Sequence, residues 1–234
     1  MRETGVNMAK RKKKDPPPDL ERSVAYVLPR RKSRWGRRLF IAFLIPLLIL
    51  GGIYFFIRED YEATKKVVLA SSARQFPSSL KAAVLAAEEP RFYEALPGRS
   101  GITEQLLRYA APQKDQSIQS QIKQFLTAVA LDATLSKEAI LNSYMDNVYL
   151  GIVDSKPLYG LESGARVYYN SPIDRLTLAQ SATLAGIVRD PSGYSPFVQP
   201  DAAMRRRNTV LESMLAARAL NEVEFDEASK APIR

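Results

Sequence analysis

The feature that most constrains this chain is the run LFIAFLIPLLILGGIYFFI at 39–57, 19 residues without a charge. A bilayer core needs about 20 apolar residues of helix to cross it, so the run predicts one transmembrane helix. Pro46, Gly51 and Gly52 do not forbid it, because helix breakers are tolerated in membrane helices. RRKSRWGRR precedes the run and RED follows it. Excess Arg and Lys mark the cytoplasmic side, which predicts a cytoplasmic N-terminus with residues 58–234 outside. Trp35 and Tyr54 stand near the two ends, where interfacial aromatics belong. A cleaved signal peptide is the plain alternative. Its apolar region would span only about 7–15 residues, and FFIREDYEA offers no small-x-small cleavage site.

Charge divides the chain in the same place. The net charge is +9, and residues 1–38 alone hold 13 basic and 4 acidic residues. With KRKKK and DPPPD, this segment predicts a basic, disordered cytoplasmic tail. The remaining residues carry 21 charges of each sign, so the main domain has no basic surface suited to nucleic acid. The chain has no Cys and no His. Disulfides, Cys/His zinc sites, a Ser-His-Asp triad and a Cys nucleophile are therefore excluded. Any general base must be Asp, Glu, Lys or Tyr.

Residues 58–79 read as a juxtamembrane linker, 80–220 as a mainly helical, all-α domain, and 221–234 as a C-terminal helix or tail. Ile118, Ile122, Phe125 and Val129 form one apolar stripe of a helix over 117–132, with an ordinary polar face opposite. Ser136 can cap a helix that buries Ile140, Tyr144 and Val148. Thr177 with Gln180 forms a capping-box pattern, Pro200 and Asp201 open a further helix, and Asn221 with Glu224 starts the last. DPSGYSP at 190–196 is a turn-rich connection. No stretch alternates for long with β-branched residues, so at most a short hairpin is predicted.

Three patches could carry chemistry. Glu88 and Glu89 end a helix that begins near Ser78. Negative charge opposes the helix dipole there, which raises a carboxylate pKa and suits a general base. A solvated acidic helix end has the same composition. The second patch is ITEQLLR at 102–108. The third is Ser120, Gln121, Lys123 and Gln124, in which Ser120, Gln121 and Gln124 share a helix face. Two Ser-x-x-Lys matches, Ser78 to Lys81 and Ser120 to Lys123, lack the Ser-x-Asn and Lys-Thr-Gly elements of penicillin-binding transpeptidases.

Four segments in order then carry a resemblance: KEAILNSYMDNVYLG (137–151), YGLESGARVYYN (159–170), LTLAQSATLAGIVRDPSGYSP (176–196) and PDAAMRRRNTVLESM (200–214). Over about residues 80–216 the chain resembles the peptidoglycan glycosyltransferases of family 51, found alone or joined to class A penicillin-binding proteins. The resemblance implies a lysozyme-like helical fold and an enzyme that polymerises lipid II at the outer face of the cytoplasmic (inner) membrane. In that family a Glu deprotonates the acceptor 4-hydroxyl, which displaces a lipid diphosphate with inversion, and cations stabilise the leaving diphosphate.

The first half departs from the family pattern. EEPRFYEALPG resembles the first motif, so the resemblance places Glu88 on the catalytic Glu, Glu89 on its neighbouring Asp and Phe92 on the Phe, while Ala95 replaces the His. In GITEQLLR, Thr103, Gln105 and Arg108 fit the second motif, while Gly101 and Glu104 depart. In SQIKQ, Ser120 and Gln121 replace an Arg-Lys pair and Gln124 replaces a Glu. Asn142 and Asp146 stand for Glu and Asn in the fourth motif, and the link between the first two motifs is short. The resemblance thus implies Glu88 as catalytic base and Glu89, Phe92, Thr103, Gln105, Arg108, Gln121, Lys123 and Gln124 as substrate-binding, gathered around one groove. Lys123 and Arg108 could replace part of the lost positive charge.

The expected partners are the membrane, lipid II or glycan strands, and other cell-wall synthesis proteins. No nucleic acid is expected. No cofactor is evident, and a divalent metal at the diphosphate site stays open. Polymerisation is expected to be absent or very weak. The alternatives are a non-catalytic lipid II-binding or scaffold subunit and a lytic lysozyme-like enzyme using Glu88.

Overall fold

The computed structural model describes residues 34–71, 73–113 and 115–233. Residues 1–33 of the expected basic tail lie outside the described residues, and its last five residues already belong to the first helix. The chain divides into two units, Met1–Pro46 and Leu47–Arg234. Residues 34–46 of the first unit are helical, and residues 35 and 38–46 are exposed.

Helix α1, Arg34–Ser71, is the one described helix long and apolar enough to cross a membrane. Its residues 47–50 are exposed and apolar. From Ile57 onward its character changes. Ile57, Asp60, Tyr61, Thr64, Val68 and Ser71 are buried, a helical stripe that packs onto the domain. The segment expected as a linker over 58–79 is therefore helix as far as Ser71, and its Val68 belongs to the main core.

Helices α2 (Ser78–Glu88), α3 (Gly101–Ala110), α4 (Ile118–Thr134) and α5 (Lys137–Asn147) follow. A two-stranded antiparallel hairpin comes next, β1 (Tyr149–Val153) and β2 (Lys156–Tyr159), with Tyr149 opposite Tyr159. Helices α6 (Leu161–Tyr169), α7 (Leu178–Ile187), α8 (Pro200–Ala216) and α9 (Glu222–Lys230) complete the described domain. The architecture is mainly helical, with the hairpin expected at most.

Local chemistry sets the helix ends. Ser117, Ser136, Thr177 and Asn221 each accept a backbone N–H as N-cap, and the last two form full capping boxes with Gln180 and Glu224. Gly160 opens α6 at φ +79°, where a Cβ would stand 2.5 Å from the Asp146 carbonyl oxygen. No other residue fits that backbone and that gap.

Helix α7 is the centre of the core. Every residue from 181 to 187 is buried, and α7 packs against α2, α6 and α8. The last helix is part of this core too, since Leu220 and Ala228 join the same cluster. The buried Arg207 of α8 donates to the carbonyls of Ser229 and Ala231 at 2.6 Å each. These are orphan acceptors at the end of α9. One apolar surface departs from expectation. The stripe Ile118, Ile122 and Phe125 of α4 faces outward, and the helix buries Thr127, Ala128 and Leu131 instead.

Candidate active site

Packing of α2 against α7 and α8 brings the end of α2 near residues far along the chain. Glu88 is the last residue of α2 and is half-buried. One carboxylate oxygen is buried with no partner. The other accepts from Gln105 Nε2 at 3.5 Å, and Gln105 Oε1 accepts from the Tyr144 hydroxyl at 3.4 Å. Burial pushes the Glu88 carboxyl up, while Gln105, Arg206 and Arg189 pull it the other way. A half-buried carboxyl raised by desolvation has the affinity for a proton that a general base needs.

Arg189 and Arg206 are functional neighbours that the sequence reading missed. Arg206 donates to the Ala87 carbonyl at 3.3 Å and lies over the Tyr194 ring at 5.9 Å. A Cβ at Gly186 would stand 2.9 Å from Arg206 Cγ, so that glycine leaves room for the arginine beside α7. The signal was the triple arginine at 205–207 in an otherwise charge-balanced domain. Its partner lies more than a hundred residues away, where no local pattern can show it.

Glu89 points elsewhere. Its Oε2 accepts from Ser100 Oγ at 2.9 Å and from Ile102 N at 3.1 Å. A carboxylate on the first turn of α3 offsets unsatisfied N–H groups and the positive end of the dipole. It fixes α3, which in turn carries Gln105 to Glu88. Phe92 and Thr103 are fully buried. Lys137 Nζ sits 4.8 Å from the Phe92 ring centroid. Thr103 donates to Asp132 Oδ1 at 2.8 Å, and Asp132 also accepts from Gly98 N at 2.9 Å and Lys137 Nζ at 3.0 Å. Glu89, Phe92 and Thr103, expected at the substrate, are engaged in internal contacts that hold α3 and the residues around it.

The third-motif residues stand beside α3. A cavity of about 640 Å³ is lined there by Glu104, Arg108, Asp115, Ser120, Gln121 and Gln124, among others, with Glu88 outside the lining. Arg108 is paired with Glu104 one turn away. Gln121 donates to the Gln116 carbonyl at 3.0 Å, and Gln124 Nε2 is buried without a partner. Lys123 turns to α1, where its ammonium meets Asp60 at 2.9 Å, while Gln113 donates to the same carboxylate at 2.9 Å. Asp115 accepts from Ser120 Oγ and Ser117 N, bonds that hold its carboxyl down to about 2. Gln105 meets Glu88, and Arg108, Gln121 and Gln124 line the adjoining cavity; Glu88 and Arg108 both act electrostatically on Tyr109 and Tyr144, which stand between them.

In the fourth motif Asn142 is buried. Asp146 accepts from Ser71 at 2.8 Å and pairs with Arg74 at 3.1 Å, so it ties the end of α1 to α5. Among the described residues no three His, Cys, Asp or Glu side chains converge as a metal site.

Comparison with known proteins gives the same family from outside. Residues 94–215 match the family model described as "Transglycosylase", a stretch that begins just after Glu88. Penicillin-binding protein 1A of Neisseria flavescens is 32% identical over 176 residues, covering 66% of this chain and 22% of that protein. Penicillin-binding protein 1A of Escherichia coli (strain K12) is 31% identical over 174 residues, covering 65% and 20%. A crystal structure of penicillin-binding protein 1A from Haemophilus influenzae aligns at TM-score 0.41 and 22% identity, over 68% of this chain and 17% of that one. The chain spans about a fifth of the length of these curated relatives. With more than half of its residues matched by the family model, and with its helical domain and the order of its motifs agreeing, the chain belongs to the transglycosylases, the peptidoglycan glycosyltransferases of family 51.

Proposed function

We propose that this chain is a membrane-anchored cell-wall biogenesis protein that engages lipid II or the glycan strand through the Glu88 region, with polymerisation absent or very weak. One observation carries the reading: each cation expected to serve the diphosphate already has a carboxylate partner, an exposed one for Arg108 and a buried one for Lys123. Arg108 is paired with Glu104, and Lys123 with the buried Asp60. Attack by an acceptor oxygen builds charge on a departing diphosphate, and fixed donors must already face that charge. Among the described lining residues of the third-motif cavity, Glu104 and Asp115 outweigh Arg108. Such a lining repels a diphosphate rather than holding it.

The Glu88 end supports base chemistry, with a raised carboxyl and Gln105 fixing one of its oxygens. In this reading Glu88 accepts the proton of a sugar hydroxyl, and Arg189 and Arg206 keep the carboxylate ionised within its half-buried setting. We further place the N-terminus in the cytoplasm and residues 58–234 outside it, in the inner membrane of a bacterium. A reporter fused after Arg234 and active only outside the cytoplasm checks this.

The decisive experiment is lipid II polymerisation by the purified full-length chain, run beside Glu88→Gln, with lipid II binding measured in parallel. Binding without chain growth is the expected result. Robust glycan-chain synthesis, abolished by Glu88→Gln, overturns the reading and makes this a working polymerase.

A further inference from the structure

We propose that Asp60 of α1 masks Lys123 within the chain, its carboxylate standing where a ligand's phosphate would stand, and that it thereby sets the affinity of the third-motif cavity for a lipid diphosphate. The proposal rests on the reading above, in which the ligand is lipid II, and adds the residue that keeps its diphosphate weakly held. Lys123 is the only Lys or Arg in the SQIKQ segment. Its ammonium donates to Asp60 Oδ1 at 2.9 Å, and Gln113 Nε2 donates to Asp60 Oδ2 at 2.9 Å. The two donors come from α4 and from the link before it, while the acid comes from a helix more than fifty residues earlier. An ammonium and an amide N–H converging on one carboxylate form an anion site, and Asp60 is the anion that fills it.

This anion site opens toward the third-motif residues. Asp60, Gln113 and Lys123 line a space of about 520 Å³, which shares Gln113, Asp115 and Ser120 with the cavity that holds Arg108 and Gln124. Ser120 and Lys123 are three residues apart on α4, so their Cβ atoms lie about 5–6 Å apart on one face. The flexible four-carbon stem of a lysine covers such a distance. Lys123 keeps 22% side-chain exposure and Asp60 11%, so the ammonium borders open space while the carboxylate is enclosed. Asp115 is the other acid on the shared wall, and its Oδ1 is already taken by Ser120 Oγ and Ser117 N.

Charge gives the mask its effect. Among the described lining residues of the smaller space Lys123 is the only cation, against Glu59, Asp60 and Asp115. A ligand phosphate must displace Asp60 before Lys123 can bind it, so the apparent affinity falls by the fraction of molecules unmasked. A mask closed in about nine molecules of ten weakens binding about tenfold. Asp60→Asn keeps nearly the same shape and an acceptor for Gln113, and it removes only the charge that holds Lys123.

The full-length chain is purified in detergent as the parent, Asp60→Asn, Asp60→Ser, Asp60→Asn with Lys123→Gln, and Glu59→Gln. Each is titrated with a polyprenyl diphosphate, and the parent and Asp60→Asn also with lipid II. Unfolding midpoints verify that each variant is folded. Asp60→Asn and Asp60→Ser are expected to bind the diphosphate about tenfold more tightly than the parent, and the added Lys123→Gln to return affinity to the parent level. Glu59→Gln makes the same change of charge at an exposed residue lining the same space, and should move affinity by less than about threefold. No tightening in either folded Asp60 variant overturns the mask, as does tightening that survives Lys123→Gln or is matched by Glu59→Gln. Lipid II binding by the parent in those cases leaves the reading above standing. Lipid II bound by neither the parent nor Asp60→Asn removes that reading and the mask together.

Discussion

Helices α5–α8 and helices α2–α4 belong to one fold but treat their polar side chains differently. In α5–α8 the matched residues chiefly end helices and permit close packing: Ser136 and Thr177 cap, and Gly160 and Gly164 give room, while Asp146 and Arg207 make structural contacts. In α2–α4 the positions that resemble the family's site have been drawn into internal contacts. Glu89 caps α3, Thr103 binds Asp132, Arg108 pairs with Glu104, and Lys123 clamps α1. Packing depends on shape and burial, whereas catalysis depends on a few free charges, so the proposed reading needs only the second set to differ.

The largest effect expected from this contrast is on stability. Leu184 is fully buried in α7, and its Cδ1 lies 2.8 Å from where a Cβ on Gly164 would be. Leu184→Ala should cost about 2–5 kcal/mol. Gln121→Ala, on the exposed side of α4, should stay within about 0.5 kcal/mol. Denaturant unfolding of both variants in detergent checks this. Equal losses would erase the distinction between scaffold and altered site.

A second experiment restores charge to the altered half. Ser120→Arg with Gln121→Lys and Gln124→Glu should raise lipid II polymerisation by about 10²-fold, and by more than Ala95→His does. In the proposed reading Glu88 provides the base, and the cations expected at the diphosphate are the missing part. A larger gain from Ala95→His would move the deficit to the first motif.

Third in size is the clamp on α1. Asp60 keeps only 11% side-chain exposure and meets Lys123 and Gln113. Lys123→Ala leaves that carboxylate with Gln113 alone, at a cost of about 1–3 kcal/mol. Asp60→Asn combined with Lys123→Gln should recover most of the loss. If stability is unchanged and lipid II binding falls instead, Lys123 serves the ligand and not the clamp.

These residues also mark how far sequence reaches. Caps were legible because both partners lie within three or four residues, as in Thr177 with Gln180 and Asn221 with Glu224. The uncharged run was legible because its length and lack of charge are local properties of the sequence. The stripe of α4 was legible as a stripe, but periodicity does not say whether protein or something else covers it. Glu89 and Thr103 were read as ligand contacts, because the motif position carries no information on which way a side chain turns. Arg206 was missed because its place beside α2 exists only after α7 and α8 have packed, with Gly186 leaving the gap.

The smallest effect concerns Glu88 and separates its electrostatics from its chemistry. Burial raises its folded-state pKa above the ordinary glutamate value, while Gln105, Arg206 and Arg189 moderate the shift. A raised acid binds its proton more tightly in the folded protein than in the unfolded chain. Below the unfolded value both states are protonated, and the carboxyl imposes no penalty. As pH climbs through the folded pKa, the folded protein must carry a half-buried charge, and stability falls. Glu88→Gln removes that charge at every pH and can still face Gln105. The variant should therefore be more stable than the parent at neutral pH, and the two should converge as pH drops below the ordinary glutamate range. Unfolding midpoints measured across that range provide the check. A variant less stable at neutral pH would mean that Arg189 and Arg206 outweigh burial, and that the half kept from the family supplies a true ion pair to the half that was altered.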